Sequence, residues 1–247
     1  MVDGADGEAL LGRLAEGSNP AEWPAALAEL GRDLGRLVGA LRRPLAPAFL
    51  ELVAGTRPWA DDRRVAGVLV QNPRTPVHVA QRLVASLYWR DLAGAALNPF
   101  VASTVRLRAE GLLAEQLGEL RLGDRIALAR LATPPVLRLL LGDADPRVLA
   151  GALLNPRLQE PQLVTALRFE NAARALLEAA SVSPRWRASY AVRLELVLQR
   201  RTPLPVALSL LTGLVEADLR RVIRGTALPA LLRAAAQRAM ESRNPRR

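Results

Sequence analysis

Eighteen prolines cut the 247 residues into short segments, and they commonly stand directly behind a residue that favours a helix boundary. Asn19-Pro20, Asn72-Pro73, Thr75-Pro76, Asn98-Pro99, Thr133-Pro134, Asp145-Pro146, Asn155-Pro156, Ser183-Pro184 and Thr202-Pro203 are examples. Proline is tolerated in the first helical turn, where its missing N–H has no intrahelical partner anyway. The Asn, Thr, Asp or Ser in front of it can cap the helix that starts or end the one before. Between these marks apolar residues recur three and four apart over roughly 8–20 residues, the ordinary length of a globular helix. Val79, Leu83, Val84 and Leu87 form one such stripe; Val206, Leu210, Leu211 and Leu214 form another. The pattern predicts about a dozen helices joined by short turns, and no strand.

Half of the chain is apolar, nearly all of it Leu, Ala and Val, and aromatics make up only 4%. Leu and Ala favour helix, whereas a β-rich chain of this size would draw on Ile, Thr, Tyr and Phe. The absence of Cys excludes disulfides, thiolate metal sites, iron–sulfur clusters and cysteine nucleophiles. His78 is the only histidine, so neither a two-histidine metal site nor a conventional Ser-His-Asp triad can be assembled around it. No glycine-rich phosphate-binding run is present. The carboxylate pairs Asp61-Asp62 and Asp143/Asp145 fall at predicted helix starts, where the dipole favours negative charge and capping is the expected role. These observations predict a chain that is not an enzyme and has no cofactor and no metal site. The acidic start over Met1–Asp6 has no basic region followed by a long apolar one. The apolar run Val136–Leu141 is interrupted by Arg138. The expectation is a cytoplasmic protein with no membrane partner.

An internal repeat follows from placing residues 75–110 beside 202–237. Without a gap, Thr75-Pro76, Val79-Ala80, Leu87, Asp91-Leu92, Arg106 and Ala109 recur 127 positions later. Their counterparts are Thr202-Pro203, Val206-Ala207, Leu214, Asp218-Leu219, Arg233 and Ala236. A shorter relative lies between them, from Thr133-Pro134 through Asp145 to Leu149-Ala150.

The stretch LLGDADPRVLAGALLNPRLQEPQLVTAL (140–167) resembles the bacterial leucine-rich repeat variant, a relative of HEAT-type helical repeats. Asp145-Pro146, Val148, Ala152, Asn155-Pro156, Leu163 and Leu167 carry the likeness, and Leu69 to Leu83 around Asn72-Pro73 repeats its second half. The resemblance covers about residues 65–237. It implies an all-α fold, an α-solenoid of HEAT-like helix pairs in a right-handed superhelical stack, and says little about a ligand. Some proteins with such repeats carry an iron–sulfur module, which a chain without Cys cannot hold. The expected organisation is an N-terminal helical cap region over residues 1–60, where Ala21–Arg43 reads as an amphipathic pattern around Trp23, Leu27, Leu30, Leu34, Leu37, Val38 and Leu41, and a helical-repeat domain over 61–247.

All the basic side chains counted in the net charge of +10 are Arg. Residues 1–60 hold six Arg against eight acids, a net −2, whereas residues 181–247 hold 13 against four, a net +9. Arg200, Arg201, Arg220, Arg221 and Arg224, with Arg246-Arg247 behind them, are the candidate surface for an anionic partner. Arginines near helix C-termini also complement the dipole, so a purely solvated face stands beside that reading. Trp186, Tyr190, Leu194 and Val197 form a stripe expected to face the core, with an aromatic platform for bases as the alternative because Arg185, Arg187 and Arg193 accompany it. The sequence therefore points to an adaptor or scaffold that binds a protein partner, acidic in character, with nucleic acid bound at the Arg-rich end as the second reading. Oligomeric state is not legible.

Overall fold

The computed structural model describes residues 11–17, 19–170 and 172–243, and every regular element among them is a helix. The start Met1–Asp6 and the pair Arg246-Arg247 lie outside the described residues. The contacts divide into two compact units, Met1–Glu119 and Leu120–Arg247. The first contains α1 (11–16), α2 (Trp23–Leu30), α3 (Leu34–Leu41), α4 (Pro47–Gly55), α5 (Arg63–Gln71), α6 (Val77–Leu83), α7 (Trp89–Leu97) and α8 (Ser103–Gln116). The second contains α9 (Leu122–Leu131), α10 (Pro134–Leu140), α11 (Pro146–Leu154), α12 (Glu160–Arg168) and α13 (Arg174–Val182). It continues with α14 (Pro184–Ala188), α15 (Tyr190–Leu198), α16 (Leu204–Leu211), α17 (Glu216–Arg224) and α18 (Ala230–Arg243). No helix among the described residues is long and apolar enough to cross a membrane.

The helix starts divide the labour between proline and acceptor side chains. Pro47, Pro134, Pro146 and Pro184 open α4, α10, α11 and α14. Asp33, Asp62, Asp145 and Ser189 accept backbone N–H groups of the first turns of α3, α5, α11 and α15. The Ala21–Arg43 pattern is not one helix but two, α2 and α3. Gly31 closes the first, at a point where a Cβ would stand 2.1 Å from the Trp59 ring, and Asp33 caps the second. The Trp186–Val197 stripe is broken in the same way: Ser189 ends α14 and caps α15.

The asparagines before proline do something that local reading does not anticipate. Asn72 Nδ2 donates to the carbonyls of Leu41 and Arg43, both at 2.7 Å, while its Oδ1 accepts the Arg74 N–H at 2.9 Å. Asn155 is fully buried and repeats the arrangement with Ala129 (2.9 Å) and Ala132 (3.1 Å), accepting from Arg157 at 2.8 Å. Gln199 Nε2 does the same to Leu167 (2.8 Å) and Phe169 (3.0 Å). Those carbonyls lie at or just past helix C-termini and have no intrahelical partner, so each amide satisfies helix-end groups; those of Arg43 and Phe169 also accept the Leu45 and Ala172 amides, at 2.8 and 2.9 Å. Trp186, Arg185, Arg82 and Arg243 reach back to backbone carbonyls in the same manner. Long-range side-chain hydrogen bonds of this kind span 23–33 residues, apart from a bond of Arg74 to Ala15 and the Arg125–Asp143 pair.

Helix bounds recur across the two units at the 127-residue displacement. The ranges of α4, α5, α7 and α8 become those of α13, α15, α17 and α18 without adjustment, and α3 and α6 match α12 and α16 to within one residue. Buried positions recur with them: Leu83 and Leu210, Leu92 and Leu219, Val105 and Leu232, Ala109 and Ala236. The coincidence reaches upstream of residues 75–110, to the start of α3.

Candidate functional site

A concavity of the first unit lies over α5, between α3 and α7. Val38 of α3 and Arg42 just after it, Arg63, Arg64, Gly67, Val68 and Gln71 of α5, and Tyr88, Asp91 and Asn98 around α7 line a groove of about 740 Å³. Its depth depends on Gly67: a Cβ there would stand 3.3 Å from the Asp91 carboxyl, so any larger residue fills the floor. Asp91 sits in the first turn of α7, half-buried, with no hydrogen-bond or ion-pair partner among the described residues. Burial raises its pKa above the ordinary carboxylate value.

The basic residues of the groove leave that carboxylate alone. Arg63 places its guanidinium over the Tyr88 ring, 4.2 Å from the centroid, and the ring is 60% exposed. Arg64 approaches Asp62 at 3.7 Å with most of its side chain in solvent. Arg42 is exposed. The groove thus offers an unpaired acceptor on its floor, cationic groups on its rim and an aromatic face beside them.

In the second unit the same positions are filled. Tyr190 stands 127 residues after Arg63, Leu194 after Gly67, Val215 after Tyr88 and Asp218 after Asp91. Tyr190 Oη donates to Asp218 Oδ2 at 2.5 Å and accepts the Val215 N–H at 3.1 Å. Arg221 adds an ion pair to Asp218 at 2.9 Å. The Tyr190 hydroxyl first, and Arg221 after it, hold Asp218 below the usual carboxylate range against the opposing effect of burial. Burial and the adjacent carboxylate push the Tyr190 phenol up, so it keeps its proton.

Comparison with known proteins returns no match. No family model fits the chain, and neither a curated protein nor a solved structure matches it.

The five candidate arginines fall into two groups. Arg200 and Arg201 lie in the turn between α15 and α16, where Arg200 pairs with Glu170 at 2.7 Å and the Arg201 amide faces Gln199. On α17, Arg220 pairs with Glu216, Arg221 with Asp218, and Arg224 Nε donates to the Arg220 carbonyl at 3.3 Å. No hydrogen bond or ion pair among the described residues joins the two groups. Three of the five carry a local acidic partner, which lowers the positive potential they present. Trp186 is 3% exposed and donates to the Leu153 carbonyl, so its face is closed to a base; His78 is an exposed residue 2.9 Å from Glu51.

The groove is hidden from local sequence reading because its decisive feature is a missing side chain. The signal was present: continuing the ungapped comparison upstream pairs Trp59 with Trp186, Val65 with Val192 and Val70 with Val197, and places Gly67 opposite Leu194.

Proposed function

We propose that the protein is a non-enzymatic helical-repeat adaptor of the cytoplasm, which holds a protein partner in the groove over Asp91. In this reading the chain is a right-handed stack of HEAT-like helix pairs related to the leucine-rich repeat variant. The repeat reading draws support from the recurrence of helix bounds at 127 residues and from side-chain links spanning 23–33 residues, the reach expected when each helix pair bonds its neighbour. The adaptor reading rests on one observation: a groove of about 740 Å³ with an unpaired carboxylate on its floor. That volume falls within the roughly 300–1,000 Å³ typical of ligand sites. Arg42, Arg63 and Arg64 on the rim suit a partner with acidic residues. Asp91 has no second titratable group within hydrogen-bonding reach, so the groove supplies an acceptor without an acid–base pair.

The test compares three forms of the chain as bait in extracts of its host: wild type, the groove-filled Gly67→Leu variant and the Arg220→Glu, Arg221→Glu, Arg224→Glu variant, each checked for helix content. A protein recovered by wild type and by the triple variant but lost with Gly67→Leu supports the groove. Loss with the triple variant alone, together with retention on DNA whose log–log salt slope falls by about 0.9 per lost contact, replaces it with nucleic-acid binding at the Arg-rich end.

A further inference from the structure

We infer that the groove of the first unit is a receptor for a tyrosine side chain presented by an acidic segment of a partner protein, with the phenol donating to Asp91 and accepting from the Tyr88 amide. The inference rests on the groove reading above and names what the groove reads.

In the second unit the chain occupies the corresponding place itself. There a phenol hydroxyl sits between a carboxylate and a backbone amide, Asp218 at 2.5 Å and Val215 N–H at 3.1 Å. A hydroxyl is the simplest group that meets both demands, because it donates one hydrogen bond while accepting another. In the first unit the helices that carry the pair have the same bounds: α5 answers α15 and α7 answers α17. The acceptor is retained as Asp91 and the donor as the Tyr88 amide, and neither has a partner among the described residues. What differs is the filling. The place of Tyr190 is taken by Arg63, whose head turns to the Tyr88 ring, and the place of Leu194 is taken by Gly67. The first unit therefore keeps the hydroxyl-binding pair, removes the internal hydroxyl and opens the space above it.

The surroundings favour an aromatic hydroxyl over a small one. Tyr88, capped by Arg63, offers a ring face at the mouth, and Val38 and Val68 give the walls apolar surface for a second ring. The arginines of the rim attract acidic neighbours of that tyrosine in sequence, while the carboxylate on the floor repels a phosphate on the phenol itself.

Two blocked acidic pentapeptides serve as probes, one with a central tyrosine and one with phenylalanine in its place, titrated into the full chain and followed by backbone amide NMR shifts. The tyrosine peptide is expected to shift the amides of Gly67, Tyr88 and Asp91 and to bind roughly tenfold or more tightly than its phenylalanine counterpart, the discrimination a hydrogen bond to a charged group provides. Asp91→Asn should narrow that ratio. Arg63→Tyr, which supplies the internal phenol of the second unit at an exposed position, should abolish binding while leaving the helix content unchanged. Equal affinity for the two peptides, or tighter binding of the phosphotyrosine peptide, overturns the tyrosine assignment and leaves the groove as a less selective site. Absence of any shift at Gly67, Tyr88 and Asp91 with either peptide overturns both readings together.

Discussion

Asp91 and Asp218 occupy matching positions in the two units, each in the first turn of a nine-residue helix, and their surroundings are opposite. Asp218 is enclosed by the Tyr190 hydroxyl and the Arg221 guanidinium, with its side chain 14% exposed. Asp91 faces a groove with no partner among the described residues. The helices around them share their bounds, so the difference does not arise from backbone architecture. It comes from three side-chain differences: arginine or tyrosine at the first position of α5 and α15, glycine or leucine four residues on, and glycine or arginine (Gly94, Arg221) three residues after the aspartate. A helical frame of this kind sets where a site can be; a few side chains decide whether it is open or already occupied.

Equivalence of the two units is tested most severely in the core. Leu83 and Leu210 are 7% and 3% exposed, and truncation of either to Ala should cost about 2–5 kcal/mol in chemical denaturation. Frames that are equivalent should lose similar amounts. A loss at one site alone would show that the matching helix bounds conceal different packing.

Next come the amide clamps. Asn72 and Gln199 are also 127 positions apart, and each satisfies two backbone carbonyls at the end of an earlier helix. Replacing either with Ala removes a donor from two carbonyls, of which Arg43 and Phe169 keep the Leu45 and Ala172 amides, and should cost about 1–3 kcal/mol. Asn72→Gln and Gln199→Asn exchange one clamp for the other and should recover part of that loss if the two serve one purpose.

The two carboxylates should respond to pH with opposite sign. Asp218 has a lowered pKa in the folded chain, so its contribution is present above the ordinary carboxylate pKa and is lost as pH falls through the folded value. Asp218→Asn should therefore destabilise by about 1–2 kcal/mol at pH 7, with the gap to wild type closing in acid. Asp91 has a raised pKa, so its ionised form opposes folding above that value and protonation on acidification relieves the cost. Asp91→Asn should stabilise slightly at pH 7, and this gain should shrink as pH falls. Urea denaturation of both variants between pH 3 and 7 separates the two signs.

Much of this architecture is legible in the sequence, and the exceptions share a cause. Proline marks and three-and-four spacing place the helices because both rules act within one turn of backbone. The ungapped match of 75–110 with 202–237 is visible because Thr75, Asp91 and Arg106 keep their identity in Thr202, Asp218 and Arg233. Upstream of it residue identity drifts while helix bounds do not, since many Leu, Ala and Val choices satisfy the same burial. Breaks inside amphipathic runs are hidden for a different reason: Gly31 and Ser189 interrupt patterns that periodicity alone would carry across, and Trp59 leaves no room for a Cβ at Gly31. The asparagine clamps are invisible because the carbonyls they satisfy lie 23–31 residues away. The groove depends on space above Gly67, which appears in sequence only when Leu194 is set against it.

The smallest effect concerns the arginines that the charge distribution brings to the fore. Arg220, Arg221 and Arg224 stand 127 residues after Ala93, Gly94 and Leu97. In α7 that face is drier: Ala93 is 3% exposed, and Gly94 and Leu97 are half-buried. In α17 it is wet, with all three arginines exposed. The residue type follows the environment, apolar where a neighbour packs and arginine where water is reached, and this accounts for three of the 13 arginines in residues 181–247. Arg220 pairs with Glu216 one turn back on the helix surface, a geometry that contributes about 0.3–0.5 kcal/mol. Arg220→Ala should therefore change stability by no more than about 0.5 kcal/mol, with the remaining difference disappearing in high salt. The reciprocal change marks the contrast, because Ala93→Arg forces a charge into the dry face and should lower the melting temperature well beyond the effect of Arg220→Ala. Two equally mild variants would mean that the faces of α7 and α17 are alike in solution, and that the arginines of α17 stand there for a reason other than exposure.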